Sequence, residues 1–249
     1  MAEARRRRRR KRGLGFMRPI LYILMLAAMG FGISIFFKVS EVEVQGNNEY
    51  SAEEIIAASG VEFGKNLFLV SASDIVDSLF KTMPYLDEVS ITRKLPGTLV
   101  IHVEETQAVA VVESGGTYYV LNKNCKILDA TDAGGAASLI KVGGISPILP
   151  VVGQRIALGD AEGVKADFLR ELLTLATDMG IIAEISDISL ASIADLSFTY
   201  QGRFLVKLGG LDKLEYKLGL LRTTVENLAE GDSGTIDLSK DREAHYIPR

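Results

Sequence analysis

Residues Ile20–Phe37, ILYILMLAAMGFGISIFF, are an eighteen-residue stretch without a charge, and the segment ahead of them carries the basic run Arg5–Arg12 (RRRRRRKR). No other feature restricts this chain so strongly. A helix rises about 1.5 Å per residue, so such a stretch reaches about 27 Å, close to the roughly 30 Å hydrocarbon core of a bilayer. Positive charge is retained on the cytoplasmic side. The expectation is a basic cytoplasmic tip at 1–19, a transmembrane helix at 20–37, and everything from Lys38 onward outside the cytoplasm. The stretch exceeds the usual h-region of a cleaved signal peptide and ends in Phe36-Phe37-Lys38 rather than small residues, which favours an uncleaved signal-anchor. Within it Ala28 and Gly32, and also Gly30 and Ser34, have small-xxx-small spacing, so Ala28 and Gly32 are candidates for helix–helix contact in the bilayer.

Charge is distributed unevenly. The 249 residues include 28 Lys+Arg and 32 Asp+Glu. Nine of the basic residues and one acid, Glu3, fall in 1–37, which leaves the outer part near −12. That balance argues against nucleic acid or an anionic lipid surface as its partner. The Arg run reads as an orientation signal and a weak tether to anionic headgroups. Cys125 is the only cysteine, so no intramolecular disulfide supports the outer domains.

Beyond Lys38 the sequence turns to α+β patterning. Val42 and Val44 share one face of a strand beginning near Val39. After the Gly46-Asn47-Asn48 turn, Ser51-Ala52-Glu53-Glu54 has capping-box spacing for a helix that carries Ile55, Ile56 and Ala58 and stops near Gly60. A second helix starts at Ser71 or Ser73; Ile75, Leu79 and Met83, with Val76 and Phe80, form its apolar face, and Pro84 ends it. Strands follow at 85–93 and 98–104, with the Pro96-Gly97 turn between them. In the second strand Leu99, Ile101 and Val103 lie on one face and Val100, His102 and Glu104 on the other. The order is β-α-α-β-β.

The segments VEVQGNNEYSAEEI, GKNLFLVSASDI and MPYLDEVSITRKLPGTLVIHVEE resemble a POTRA domain, and the short basic tip with a single span ahead of them is similar to the FtsQ/DivIB family of cell-division proteins. Pro84, Arg93, Lys94, Leu95, Pro96 and Leu99 stand at the family's pattern positions. The family continues with Glu-Arg-x-Pro-x-Ala, whereas this chain has Glu105-Thr106-Gln107-Ala108-Val109-Ala110, lacking the Arg and Pro. The resemblance sets a POTRA-like domain at 38–106 and a mostly β domain with two helices at 107–249.

In the second domain, 109–112 and 117–121 flank Glu113-Ser114-Gly115-Gly116 as a hairpin, and another strand starts at Cys125 after the Asn122-Lys123-Asn124 turn. A helix carries Phe168, Leu172, Leu175, Ala176 and Met179 on one side. A strand spans 185–190, and a second hairpin joins 196–200 to 203–208 across Gln201-Gly202. A helix from about Leu211 to Leu228 turns Leu214, Leu218, Leu221, Val225 and Leu228 inward. Stretches 234–238 (GTIDL) and 244–247 (AHYI) close the domain as strands.

Catalytic chemistry finds no foothold in this sequence. Gly60-x-x-x-Gly64-Lys65-Asn66 is one residue short of a P-loop and ends in Asn where the metal-binding hydroxyl should stand. Ser138-Leu139-Ile140-Lys141 satisfies S-x-x-K but is not followed by S-D-N or K-T-G. His102 and His245 lie far apart without neighbouring His or Cys, short of a zinc ligand set. The expectation is therefore no enzyme, no cofactor and no metal, and a protein that works by binding. An exposed sheet edge supplies one physical mode, the addition of a partner strand. The last strand is the natural edge, either near 235–238 or at 244–247.

The family resemblance implies that division partners of the FtsB/DivIC and FtsL type dock on this C-terminal region, and it implies the septal synthase complex as a further partner. The carried-over candidates are Ile236, Leu238, His245, Tyr246 and Ile247, with completion of the core as the competing role. The same resemblance implies a non-catalytic divisome scaffold in the cell membrane at the septum, linking cytoplasmic assembly to peptidoglycan synthesis. The alternative is a POTRA-bearing transport or chaperone component; such proteins usually repeat POTRA domains and end in a β-barrel.

Overall fold

A computed structural model describes residues 17–159, 162–210, 212–240 and 243–249, with the backbone alone for 17, 18 and 33–35. The Arg5–Arg12 run and Leu211 lie outside the described residues. Helix α1 (Met17–Phe36) covers the expected span but begins three residues earlier and ends one residue sooner. Its described bulky side chains, from Ile20 through Phe31, and Phe36, are exposed. Among the described residues no helix is long and apolar enough to cross a membrane.

The chain packs as two compact units: the residues up to Ser78 with Val89–Val103, and Leu79–Glu88 with Glu104–Arg249. The elements that open the chain after α1 run β1 (Glu41–Gln45), α2 (Ala52–Ser59), α3 (Ala72–Thr82), β2 (Leu86–Lys94) and β3 (Thr98–Glu105), which is the expected β-α-α-β-β order. Ser51 caps α2 through both halves of the capping box, and Gly60 ends the helix in the left-handed region at φ 67°. The three strands form one sheet in the order β1-β3-β2. β1 pairs in parallel with β3, Val42 opposite Leu99 and Val44 opposite Ile101. Leu99, Ile101 and Val103 are buried as their alternation predicts. Val100, on the opposite face of this central strand, is buried as well.

The second unit holds a nine-stranded sheet in the order β12-β11-β10-β9-β8-β7-β4-β5-β6. Its strands are β4 (Ala110–Ser114), β5 (Thr117–Leu121), β6 (Ile127–Thr131), β7 (Ile140–Gly143), β8 (Ile185–Ser189), β9 (Leu196–Tyr200), β10 (Phe204–Gly209), β11 (Gly234–Asp237) and β12 (His245–Pro248), with helices α4 (Gly163–Asp178) and α5 (Leu214–Glu226). The pairs β4–β7, β7–β8 and β10–β11 are parallel, and the rest are antiparallel. Both expected hairpins form, with Gly115 and Gly116 at positive φ in the first turn.

One core carries this unit. Phe168, Leu169, Leu172 and Leu173 from α4 and Leu214, Leu218 and Leu221 from α5 are buried with Val112, Phe198, Phe204, Val206 and Ile236 from the sheet. Two buried lysines satisfy carbonyls rather than facing water. Lys217 Nζ on α5 donates to Leu208 O (2.8 Å) and Gly210 O (3.1 Å), fixing the helix to the end of β10. Lys165 Nζ donates to Gly144 O (2.8 Å). Such capping avoids the cost of a buried cation without partners. On the other face a small cluster of Val111, Val120, Leu128 and Ala136 packs with Tyr85.

Cys125 departs from the expectation. It does not begin a strand but stands in a tight turn at φ 58°, where its N–H donates to Asn122 O (3.0 Å). Its carbonyl accepts Ile156 N–H (2.9 Å), a contact thirty-one residues away that no local pattern announces.

Candidate partner-binding edge

The C-terminal strand ends the sheet. β11 lies between β10 and β12, so β12 has a neighbour on one side only. Along β11 the amides alternate. Gly234 N–H donates to Arg203 O (3.1 Å) and Leu238 N–H to Lys207 O (2.8 Å), both toward β10. The intervening Thr235 and Asp237 therefore face β12, opposite Ile247 and His245. That parity turns the N–H and C=O of Tyr246 outward, away from the sheet. Pro248 has no N–H to offer, which limits the open ladder at its end.

The five sequence candidates divide by face. Ile236 and Leu238 are fully buried core residues, so their side chains complete the unit and do not reach the surface. Tyr246 is half-buried against that core: its ring meets Phe204 edge-on at 6.1 Å between centroids, and its hydroxyl donates to Ser233 O (3.0 Å). Ile247 points the other way and is 57% exposed. His245 is exposed on the same face as Ile247, 3.3 Å from the Glu243 carboxylate.

The solvent-facing side of the sheet extends this edge. Thr199, Leu205, Thr235 and Ile247 form one cross-strand row over β9 to β12. They line a shallow groove of about 430 Å³ with Arg203 and Arg249. A second groove of about 540 Å³, lined by Lys141, Asp187, Ser189 and Ser197 among others, shares Thr199 and Leu205 with the first. Leu205 escaped attention in the sequence because its neighbours Phe204 and Val206 read as inward. That same alternation is the signal that turns an apolar side chain outward. Arg203 is a further residue the sequence did not single out. Its Nη1 donates to the carbonyls of Ala229, Glu230 and Asp232 at 2.8–3.0 Å, while Nε and Nη2 reach Gln201 Oε1. Those bonds fix the turn that delivers the chain to β11. In the row beside it, Asp237 lies between Lys207 and His245. Hydrogen bonds from Ser239, and to a smaller degree Lys207 and Lys240, hold the Asp237 carboxyl below its ordinary value.

The other candidates sit elsewhere. Ala28 and Gly32 are exposed on α1, and a Cβ added at Gly32 would meet open space. Gly60 is the C-cap of α2, Ser138 lies in an exposed turn, and Lys141 is exposed on β7. Among the described residues no group of three His, Cys, Asp or Glu side chains is placed to hold a metal.

The family described as POTRA domain, FtsQ-type, matches residues 37–106. The cell division protein DivIB of Clostridium botulinum (strain Hall) is 24% identical, over 82% of this chain and 79% of its own. DivIB of Clostridium tetani is 26% identical over 80% and 73%. The cell division protein FtsQ of Geotalea daltonii is 32% identical over 39% and 38%. Over most of its length the chain is similar to cell division proteins of the FtsQ/DivIB kind. A solved structure of the major extracytoplasmic domain of DivIB from Geobacillus stearothermophilus aligns with 51% of this chain and 99% of its own, at 12% identity and a TM-score of 0.32. Within the matched POTRA stretch the basic residue of the pattern, Arg93, has a visible task. Its Nε donates to Leu67 O (3.0 Å) and its Nη2 to Val70 O (2.7 Å), clamping the loop between α2 and α3.

Proposed function

We propose that this protein is a non-catalytic scaffold of the division machinery, anchored by α1 and binding FtsB/DivIC-type and FtsL-type partners through β12. The observation that carries the proposal is the edge position of β12, with the Tyr246 amide and carbonyl turned outward and Ile247 beside them. A partner strand added there gains main-chain hydrogen bonds, and the row Thr199–Leu205–Thr235–Ile247 supplies side-chain selectivity. Ile236 and Leu238 act by keeping β11 in place. The anchor rests on the sequence of 20–37, eighteen residues without a charge, and on the exposed apolar side chains described from Ile20 through Phe31. In this arrangement the basic tip stays in the cytoplasm, both units lie outside it, and the protein gathers at the septum. Ala28 and Gly32 leave α1 a smooth face for partner spans.

The test uses the full chain with Ile247→Asp, a change at an exposed position that leaves the core intact. The folded variant is expected to lose capture of the DivIC/FtsB-type partner by at least tenfold, about 1.4 kcal/mol. Undiminished capture by a folded Ile247→Asp chain sinks the edge-strand reading. A fluorescent fusion addresses the divisome role: recruitment to midcell is expected, and uniform membrane staining contradicts it.

A further inference from the structure

The loop between α2 and α3 presents three outward apolar side chains within seven positions: Phe63 (59% exposed), Phe68 (56%) and Leu69 (83%). Apolar residues grouped in this way mark a contact surface. The loop backbone is laced to the residues that follow α1. Val39 N–H donates to Lys65 O (2.9 Å), Gly64 N–H to Val39 O (2.8 Å) and Leu67 N–H to Phe37 O (2.8 Å). The ring of Phe68 meets Phe37 edge-on at 5.3 Å, and Phe37 meets Phe36 at 5.2 Å. Arg93 clamps the loop through the Leu67 and Val70 carbonyls, and Asn66 Oδ1 accepts Phe68 N–H (2.9 Å). Leu67 is fully buried, so the loop is pinned inward at one residue while the next two are held out.

Position identifies the occupant. Residues 37–39 follow α1 without a linker, and three residues of extended chain reach at most about 10 Å. The apolar surface of α1 therefore continues through Phe36 and Phe37 into Phe68. We propose that residues 61–70 are a second membrane contact, with Phe63, Phe68 and Leu69 seated in the outer lipid interface beside the end of α1 and Arg93 holding the loop in that shape. This rests on the reading of α1 as the anchor. The contact is apolar, so the acidic balance of the outer part does not oppose it. Its consequence is a first unit fastened to the bilayer at two points, with its tilt set rather than free.

The experiment places an environment-sensitive fluorophore at Leu69→Cys in the full chain, reconstituted in phosphatidylcholine vesicles. The native Cys125 is buried, with its thiol pushed up to about 12 by that burial, and does not compete for the label. The expected result is blue-shifted emission, quenched more by lipids spin-labelled near the headgroup than by lipids labelled deep in the chain. Adding Arg93→Ala is expected to weaken that quenching without releasing the protein from the vesicles. Emission at the wavelength of the water-exposed dye, unquenched by either lipid in protein that resists alkaline carbonate extraction, overturns the loop contact and leaves the anchor standing. Extraction of the unmodified chain by carbonate overturns the anchor, and the loop contact with it.

Discussion

Ser51 shows what one residue contributes at the start of a helix. Its hydroxyl accepts Glu54 N–H, and the Glu54 carboxylate accepts Ser51 N–H at 2.8 Å. Ser51→Ala is expected to cost about 1 kcal/mol in a urea melt. The Ser51 N–H, and the Ser51 hydroxyl donating to the same carboxylate oxygen (2.8 Å), hold the Glu54 carboxyl below its ordinary value of 4.5. A carboxyl held low in the folded state stabilises at pH above its ordinary value and ceases to as pH falls through the folded one, so this contribution fades only in acid. Cys125 has the opposite sign. Burial raises its thiol from 9.0 to about 12, so the folded chain keeps a proton that the unfolded chain releases. Stability falls as pH rises above 9, by at most about 1.4 kcal/mol per unit for one group. Replacing the thiol with Cys125→Ala is expected to flatten the fall measured between pH 9 and 11; an unchanged slope would place the titration elsewhere. The two residues differ in legibility for a physical reason. A capping box is a contact between residues three apart and is written in the sequence. The turn at Cys125 is closed locally on Asn122 O, but its carbonyl is taken by Ile156, thirty-one residues away, which no local pattern announces.

Elements repeat the lesson at longer range. Alternation in 234–238 places Ile236 and Leu238 on one face of a strand but cannot say which face meets the core or what lies beside the strand. Parallel pairing with β10 on one side and antiparallel pairing with β12 on the other decide both, and of the two candidate stretches it is β12 that ends the sheet. The hairpins at 110–121 and 196–209 were readable because Gly-containing turns hold their strands together locally. Gly234 is the element-scale device at the edge: a Cβ there would run into the carbonyl of Ile247. Gly234→Ala is expected to separate β12 from β11 and raise amide exchange in both, while α4 and α5 keep their protection. Tyr246→Phe removes one hydrogen bond to Ser233 O and keeps the ring against Phe204, so a loss of about 1 kcal/mol in a thermal melt is expected.

At the scale of the whole molecule, the chain distributes its duties among an apolar helix, a small unit and a large sheet. The packing boundary runs within α3 and β2, so Leu79–Glu88 belongs with the second unit. There the Tyr85 carbonyl accepts Thr106 N–H (2.8 Å) and Lys126 Nζ donates to Leu86 O (2.9 Å). A sequence pattern read element by element does not see such sharing, because the contacts join residues about twenty and forty positions apart. If β12 receives a partner strand, hydrogen–deuterium exchange of the full chain with and without the DivIC/FtsB-type partner will register it at the edge itself. The expected result is that the partner slows exchange at the outward Tyr246 amide. A complex that forms while Tyr246 exchanges at its unbound rate would contradict strand addition at β12.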